Sequence, residues 1–198
     1  MTNPTTTSDT PIDFSALRLQ LSSGSEKVQQ QLIQQLATLG EPGLEVLMEF
    51  LLQRRDRLPT WIDGKIYQIL YHSEFSPARE FLQTHFPAGI VTLRSQSNID
   101  YSSLQQLLIE GDFQAADRVT LQKLCELAGS AAVQRKWLYF TEVERFPILD
   151  LQTVDTLWSV YSEGKFGFSV QRGLWLTLGK NWEKLWAKIG WKNGNTWT

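Results

Sequence analysis

Histidine, cysteine and methionine are scarce in this chain, at two, one and two residues. His72 and His85 both fall in the first half, on separate helical patterns, and with Cys125 they make no recognisable metal-ligand spacing. Each histidine therefore reads as a surface or packing residue. A single cysteine excludes an internal disulfide framework and suits a reducing cytosol. No apolar run approaches the roughly 20 residues needed to span a bilayer. The opening MTNPTTTSDTP has neither the basic and apolar regions of a secretory signal nor the Arg-rich pattern of a transit peptide, so the chain reads as bacterial or already processed. A net charge of -2 gives no general pull toward nucleic acid or an anionic membrane. Walker loop, dinucleotide fingerprint, G-x-S-x-G and H-E-x-x-H are all missing. Glu142 and Glu144 flank Val143 and point to different sides of a helix, which leaves no matched acid and base.

What is present is helical pattern and tryptophan. Seven of the eight Trp lie beyond residue 100, which divides the chain into two compositional halves. Residues 1–12, rich in Thr, Pro and Asp, read as a disordered leader. Residues 13–87 predict a small bundle of four short helices, HEAT- or armadillo-like in their spacing. Ser23 and Glu26 read as a capping box, followed by Val28, Leu32, Ile33, Leu36 and Leu39 on one face. Pro42 opens a second helix, Thr60 caps a third, and Ser76-Pro77 starts a fourth. Residues 88–99 are turn-rich and read as a linker. From 100 to 198, Asp100, Asp112 and Asp150 read as helix caps, with Gly111, Gly129 and Gly164 as stops. No strand-length alternation occurs, so the fold class expected is all-α.

The stretch from Lys165 to Thr198 carries six cations and one acid, interleaved with Phe166, Phe168, Trp175, Trp182, Trp186, Trp191 and Trp197. Flat rings beside cations suit a flat apolar ligand with anionic groups, stacked on its faces and paired at its carboxylates. Trp182 and Trp186, four apart beside Leu185, fit a core stripe instead. Phe166 and Phe168 sit between glycines outside any periodic helix, where a core has less claim on them. From residue 126 onward there is no His, Cys or Met, so of the usual haem ligands only Tyr139 and Tyr161 remain. A tetrapyrrole held here would be gripped by its faces and carboxylates, which suits a metal-free or a magnesium porphyrin.

Three strings, DYSSLQQLLIEGDFQAADRVTLQKLCELAG, WLYFTEVERFPILDLQTVDTLWSVYSEGKFGFSVQRGLWL and IGWKNGNTW, closely resemble the Genomes-Uncoupled-Four family over residues 100–198. The first half is similar to the extra helical-bundle domain of its cyanobacterial members. The resemblance implies a non-catalytic protein that binds protoporphyrin IX and Mg-protoporphyrin IX in a cupped helical domain. It also implies stimulation of magnesium chelatase in chlorophyll synthesis, through contact with that enzyme's large porphyrin-binding subunit, with no nucleic-acid partner. Location follows the family: cytoplasmic in a cyanobacterium or stromal in a plastid lineage, with peripheral thylakoid contact left open. The palm of the cup would be built around Phe140, Phe166, Phe168, Trp175 and Trp197, with Lys123 and Arg172 as propionate partners. Family members run on past Trp197 into an aromatic, basic tail, whereas the sequence here stops at Thr198; it is either cut short or without the tail, whose lack would lower affinity and remove some carboxylate partners. The alternative is a docking module whose aromatics are all core. In it the helical-hairpin half docks a protein partner, and it gains if Phe166 and Phe168 are fully buried and the domain shows no groove.

Overall fold

The structure, a computed structural model, describes residues 12–194 and 196–197, so the expected leader lies outside the described residues except for Ile12. The fold is all-helical, as the pattern predicts. The helices are α1 (Phe14–Ser23), α2 (Glu26–Thr38), α3 (Glu41–Gln53), α4 (Trp61–His72), α5 (Ser76–His85), α6 (Ser102–Glu110), α7 (Phe113–Ala128), α8 (Ser130–Arg135), α9 (Phe140–Val143), α10 (Ile148–Tyr161), α11 (Phe168–Thr177) and α12 (Trp182–Lys188). A two-stranded hairpin, β1 (Lys192–Asn193) and β2 (Thr196–Trp197), is an element the pattern did not announce, because two residues per strand are too few to alternate. No helix among the described residues is long and apolar enough to cross a membrane.

From α1 to α5 each helix packs on the next and on the next but one, the arrangement of stacked helical hairpins. Among the described residues there are five of them, one more than the pattern predicts. The additional helix, α1, is capped by Asp13, whose carboxylate accepts the Ser15 and Ala16 amides at 3.0 and 3.1 Å. It buries only Leu21, too little to leave a stripe in the sequence. The expected capping box is displaced for the same reason. Ser23 is the last residue of α1, with its hydroxyl turned back to the Leu19 carbonyl, and Ser25 precedes α2. Val28 faces outward, and Gln29 takes the inner place by donating to the buried Leu21 carbonyl at 2.7 Å. Asp100 acts one position further out than a cap and accepts the Ser102 amide and hydroxyl. Asp112 caps α7 as expected, accepting the Ala115 amide.

Asp150 is not a cap. It lies inside the first turn of α10, which Pro147 precedes, and it is fully buried. Its carboxylate accepts the Ser95 hydroxyl at 2.5 Å, the Gln96 amide at 2.9 Å and the Tyr101 hydroxyl at 2.9 Å. Thr153, one turn on, donates to the Arg94 carbonyl at 2.7 Å. The 88–99 segment is thereby strapped to the start of α10.

One apolar core runs without interruption from Leu21 to Tyr161, and its middle is the seam between α4 and α10. The two backbones almost touch there. A Cβ built on Gly64 would lie 2.1 Å from the Val160 carbonyl oxygen. Gln68 donates to the Tyr161 carbonyl at 3.1 Å and to that of Leu108 at 2.9 Å. The rings of Tyr67 and Tyr161 meet edge to face at 6.2 Å.

Burial pushes the phenols of Tyr101 and Tyr161 well above the ordinary tyrosine value. In the unfolded chain these groups ionise near pH 10 while the folded chain still holds its protons, so the stability they contribute is full below pH 10 and falls as pH rises beyond it. In Tyr161→Phe the loss of stability between pH 10 and 11, read by urea unfolding at each pH, is smaller by about 1 kcal/mol. Equal slopes in both chains would exclude this role for the phenol.

Candidate functional site

Three aromatic side chains from three places in the chain form a cage. Phe113 opens α7, Trp158 stands in the last turns of α10, and Phe166 sits on the turn between α10 and α11. Phe113 and Trp158 stack at 6.1 Å, and Phe166 meets them edge-on at 5.5 and 5.9 Å. The edge-on geometry places the positive rim of one ring against the negative face of the next. Two of the walls are fixed from behind. The Trp158 indole N–H donates to the Thr120 hydroxyl at 2.9 Å, which itself donates to the Ala116 carbonyl at 2.8 Å. The Phe166 amide donates to the Ser162 hydroxyl at 2.9 Å.

Gly167 permits the turn that follows. Its φ of 135° is one that side chains rarely adopt, and a Cβ there would lie 2.7 Å from Asp155 Oδ1. That same carboxylate accepts the Ser169 amide and hydroxyl at 2.9 and 3.1 Å, so α10 caps the start of α11. Phe168, expected on a loop, is the first residue of α11 because this borrowed cap starts the helix early.

The cage opens into a cavity of about 480 Å³, within the range of small-molecule sites. Trp191 closes one side, and Gln114, Asp117, Arg118 and Gln171 supply the polar rim. Arg118 makes no ion pair among the described residues, so its guanidinium is available to an anionic group. Phe166 and Phe168 remain 44% and 41% exposed at the mouth. The two observations that would favour the docking-module alternative, buried rings and no groove, are therefore not met. Among the described residues no cluster of His, Cys, Asp or Glu could hold a metal ion.

Of the residues singled out from the sequence, the structure brings Phe166 and Phe168 into this cavity. Trp175 and Trp197 belong to a separate ladder, in which Trp175, Trp182, Trp186 and Trp197 follow one another at 5.1, 6.4 and 4.9 Å. Lys192 lies over the last two rings and pairs with Glu183. Trp182 is half exposed in this ladder and is not the core residue its spacing suggests, because α12 is too short to bury more than Leu185. Phe140 opens α9, 78% exposed and outside the cavity wall. Arg172 is exposed on α11 beside the lining Gln171, and Lys123 is occupied by Glu126 at 3.0 Å. Phe113, Trp158 and Arg118 are not among the residues the sequence points to, and Trp191 enters there only as one ring of the aromatic, basic stretch. Phe113 and Trp158 read as helix-stripe positions, and periodicity does not distinguish a core wall from a cavity wall.

Residues 94–198 match the family model described as GUN4-like, and residues 5–87 match the ARM-like repeat domain, GUN4-N terminal. The chain is 49% identical over 187 residues to the Ycf53-like protein of Synechocystis sp., covering 94% of this chain and 80% of that one. It is 37% identical over 91 residues to the chloroplastic tetrapyrrole-binding protein of Arabidopsis thaliana, covering 46% of this chain and 34% of that one. Among solved structures it is similar to GUN4 from Chlamydomonas reinhardtii, with a TM-score of 0.51 and 42% identity, covering 55% of this chain and 74% of that one.

Proposed function

The chain belongs to the GUN4-like family, and on that footing we propose that it binds tetrapyrroles in the Phe113–Trp158–Phe166 cavity and carries out no chemistry on them. The observation that carries this reading is the open aromatic cage with a free arginine on its rim. A macrocycle laid against Phe166, Phe168 and Trp158 buries apolar faces at about 25 cal/mol per Å². Arg118, Gln114 and Gln171 lie where the peripheral carboxylates of such a ligand would emerge. Protoporphyrin IX and Mg-protoporphyrin IX are the ligands proposed. Their delivery to, or removal from, the large subunit of magnesium chelatase is the proposed means of stimulating that enzyme. A net stimulus requires the loaded chain to favour one state of the chelatase over another. The similarity to the Arabidopsis tetrapyrrole-binding protein supports the ligand class.

Titration with water-soluble deuteroporphyrin tests the site. Saturable quenching of tryptophan emission is expected, because Trp158 and Trp191 line the cavity. In a Phe166→Ala, Phe168→Ala double variant the Kd rises about tenfold, the loss of two partly buried ring contacts. Equal affinity in both chains would move the ligand out of this cavity, and unchanged emission through a porphyrin excess would remove the reading. Added to magnesium chelatase at limiting porphyrin, the chain is expected to raise the rate; no change would leave binding without activation.

A further inference from the structure

The turn that carries Phe166 is held from outside its own half of the chain. Between α10 and α11 the backbone passes through Glu163 at φ 57° and Gly164 at φ 69°, and the first of these is a conformation non-glycine residues rarely adopt. Its side chain is met by Lys65 of α4 at 3.0 Å, a pair whose side chains are only 29% and 22% exposed. Lys165, far more exposed, adds a looser contact at 3.4 Å. Lys65 and its neighbouring charge hold the Glu163 carboxyl below the usual carboxylate range. Four residues before Lys65, Trp61 lies against the turn itself. A Cβ built on Gly164 would stand 3.7 Å from its Cδ1, an ordinary packing distance.

Trp61, Lys65 and Gln68 thus form one stripe along α4, at the i, i+4, i+7 spacing of a helix face. They face the chain in reverse order: Gln68 bonds Tyr161, Lys65 pairs with Glu163, and Trp61 comes nearest to where a Cβ on Gly164 would stand. Two residues further on, Phe166 closes the aromatic cage. None of the residues lining the cavity belongs to α4.

We propose that α4 of the N-terminal repeat sets the position of the 162–168 turn, through the Lys65–Glu163 pair, and so tunes the affinity of a cavity it does not line. Lys65 is the positioning residue in this scheme. The ligand arm of the proposal rests on the tetrapyrrole reading, whereas the positioning arm does not.

Two full-length variants separate positioning from plain stability. Lys65→Met keeps the apolar stem and removes the charge. Glu163→Gly removes the pair while relieving the left-handed backbone, which offsets the lost contact in overall stability. Both should melt close to the parent chain. In both, amide hydrogen exchange across 162–168, including the Phe166 amide, speeds up about tenfold, and the deuteroporphyrin Kd rises about fivefold. A Lys65→Glu, Glu163→Lys double variant restores both readouts at least in part. Unchanged exchange in the turn of both single variants overturns the proposal. Faster exchange with unchanged affinity overturns the tuning. Should the parent chain take up no porphyrin at all, the tetrapyrrole reading falls, and the exchange arm still decides whether α4 holds the turn.

Discussion

Replacing Gly64 by alanine lowers the melting temperature by about 6–12 °C, although the same change raises the stability of most helices. On an exposed helical surface alanine is favoured over glycine by about 1 kcal/mol, because glycine loses more backbone freedom. At Gly64 the added methyl would lie 2.1 Å from the Val160 carbonyl oxygen and 2.8 Å from its carbon. That carbonyl is part of the backbone of α10, and unlike a flexible side chain it has no rotamer to yield. The two helices must separate, and every contact along the seam loosens with them. Overpacking of this kind costs about 3 kcal/mol, and a chain of this size shifts by about 2–4 °C per kcal/mol. Gly173 provides the control. It is exposed on α11, where an added Cβ would meet nothing within 4 Å, so Gly173→Ala is neutral or stabilising. Melting followed by circular dichroism decides between them. A Gly64→Ala chain as stable as the Gly173→Ala chain would mean that α4 and α10 do not meet at this point.

Asp150→Ala costs about 4 kcal/mol by urea unfolding. The carboxylate is fully buried and takes three donors, from Ser95, Gln96 and Tyr101. Of these, Gln96 lies at the surface, where water can replace the bond, but the Tyr101 hydroxyl is enclosed. A buried donor left without an acceptor costs about 1–3 kcal/mol, and more when the lost acceptor carried charge. Asp150→Asn keeps the shape but presents an N–H₂ group where donors converge, and it recovers less than half of the loss. A double-mutant cycle with Tyr101→Phe is expected to show coupling of at least about 1 kcal/mol, since the two groups touch. Destabilisation below about 1 kcal/mol in Asp150→Ala would show that the strap is held by other contacts.

Asp150 also marks where the sequence stopped being legible. An aspartate ahead of an apolar stripe fits a helix cap by local pattern, and Asp112 behaves that way. Asp150 has its partners 49 to 55 residues away, and no local spacing announces them. Helices with a strong stripe and a clear stop were readable, as α3, α4 and α5 are. α1, which buries a single residue, was not. The all-helical class could be read from the stripes, and Phe166 and Phe168 because the glycines beside them set those rings apart from any clear stripe, although Phe168 opens α11. Phe113 and Trp158 were hidden because a ring facing a cavity and a ring facing a core occupy the same helix positions. Trp182 erred in the opposite direction: its spacing is that of a buried stripe, on a helix with little to be buried against.

The seam between α4 and α10 joins residues 93 positions apart, as Gln68 and Tyr161 are. Such a contact cannot form until most of the chain has been made. During synthesis the repeat emerges first, with the face of α4 that bears Gly64, Tyr67 and Gln68 still without its partner helix. Roughly a hundred more residues must follow, at about 5–20 per second, before α10 can cover it. The order of the two halves along the chain therefore sets a waiting time of several seconds or more, during which that face has no partner within the molecule.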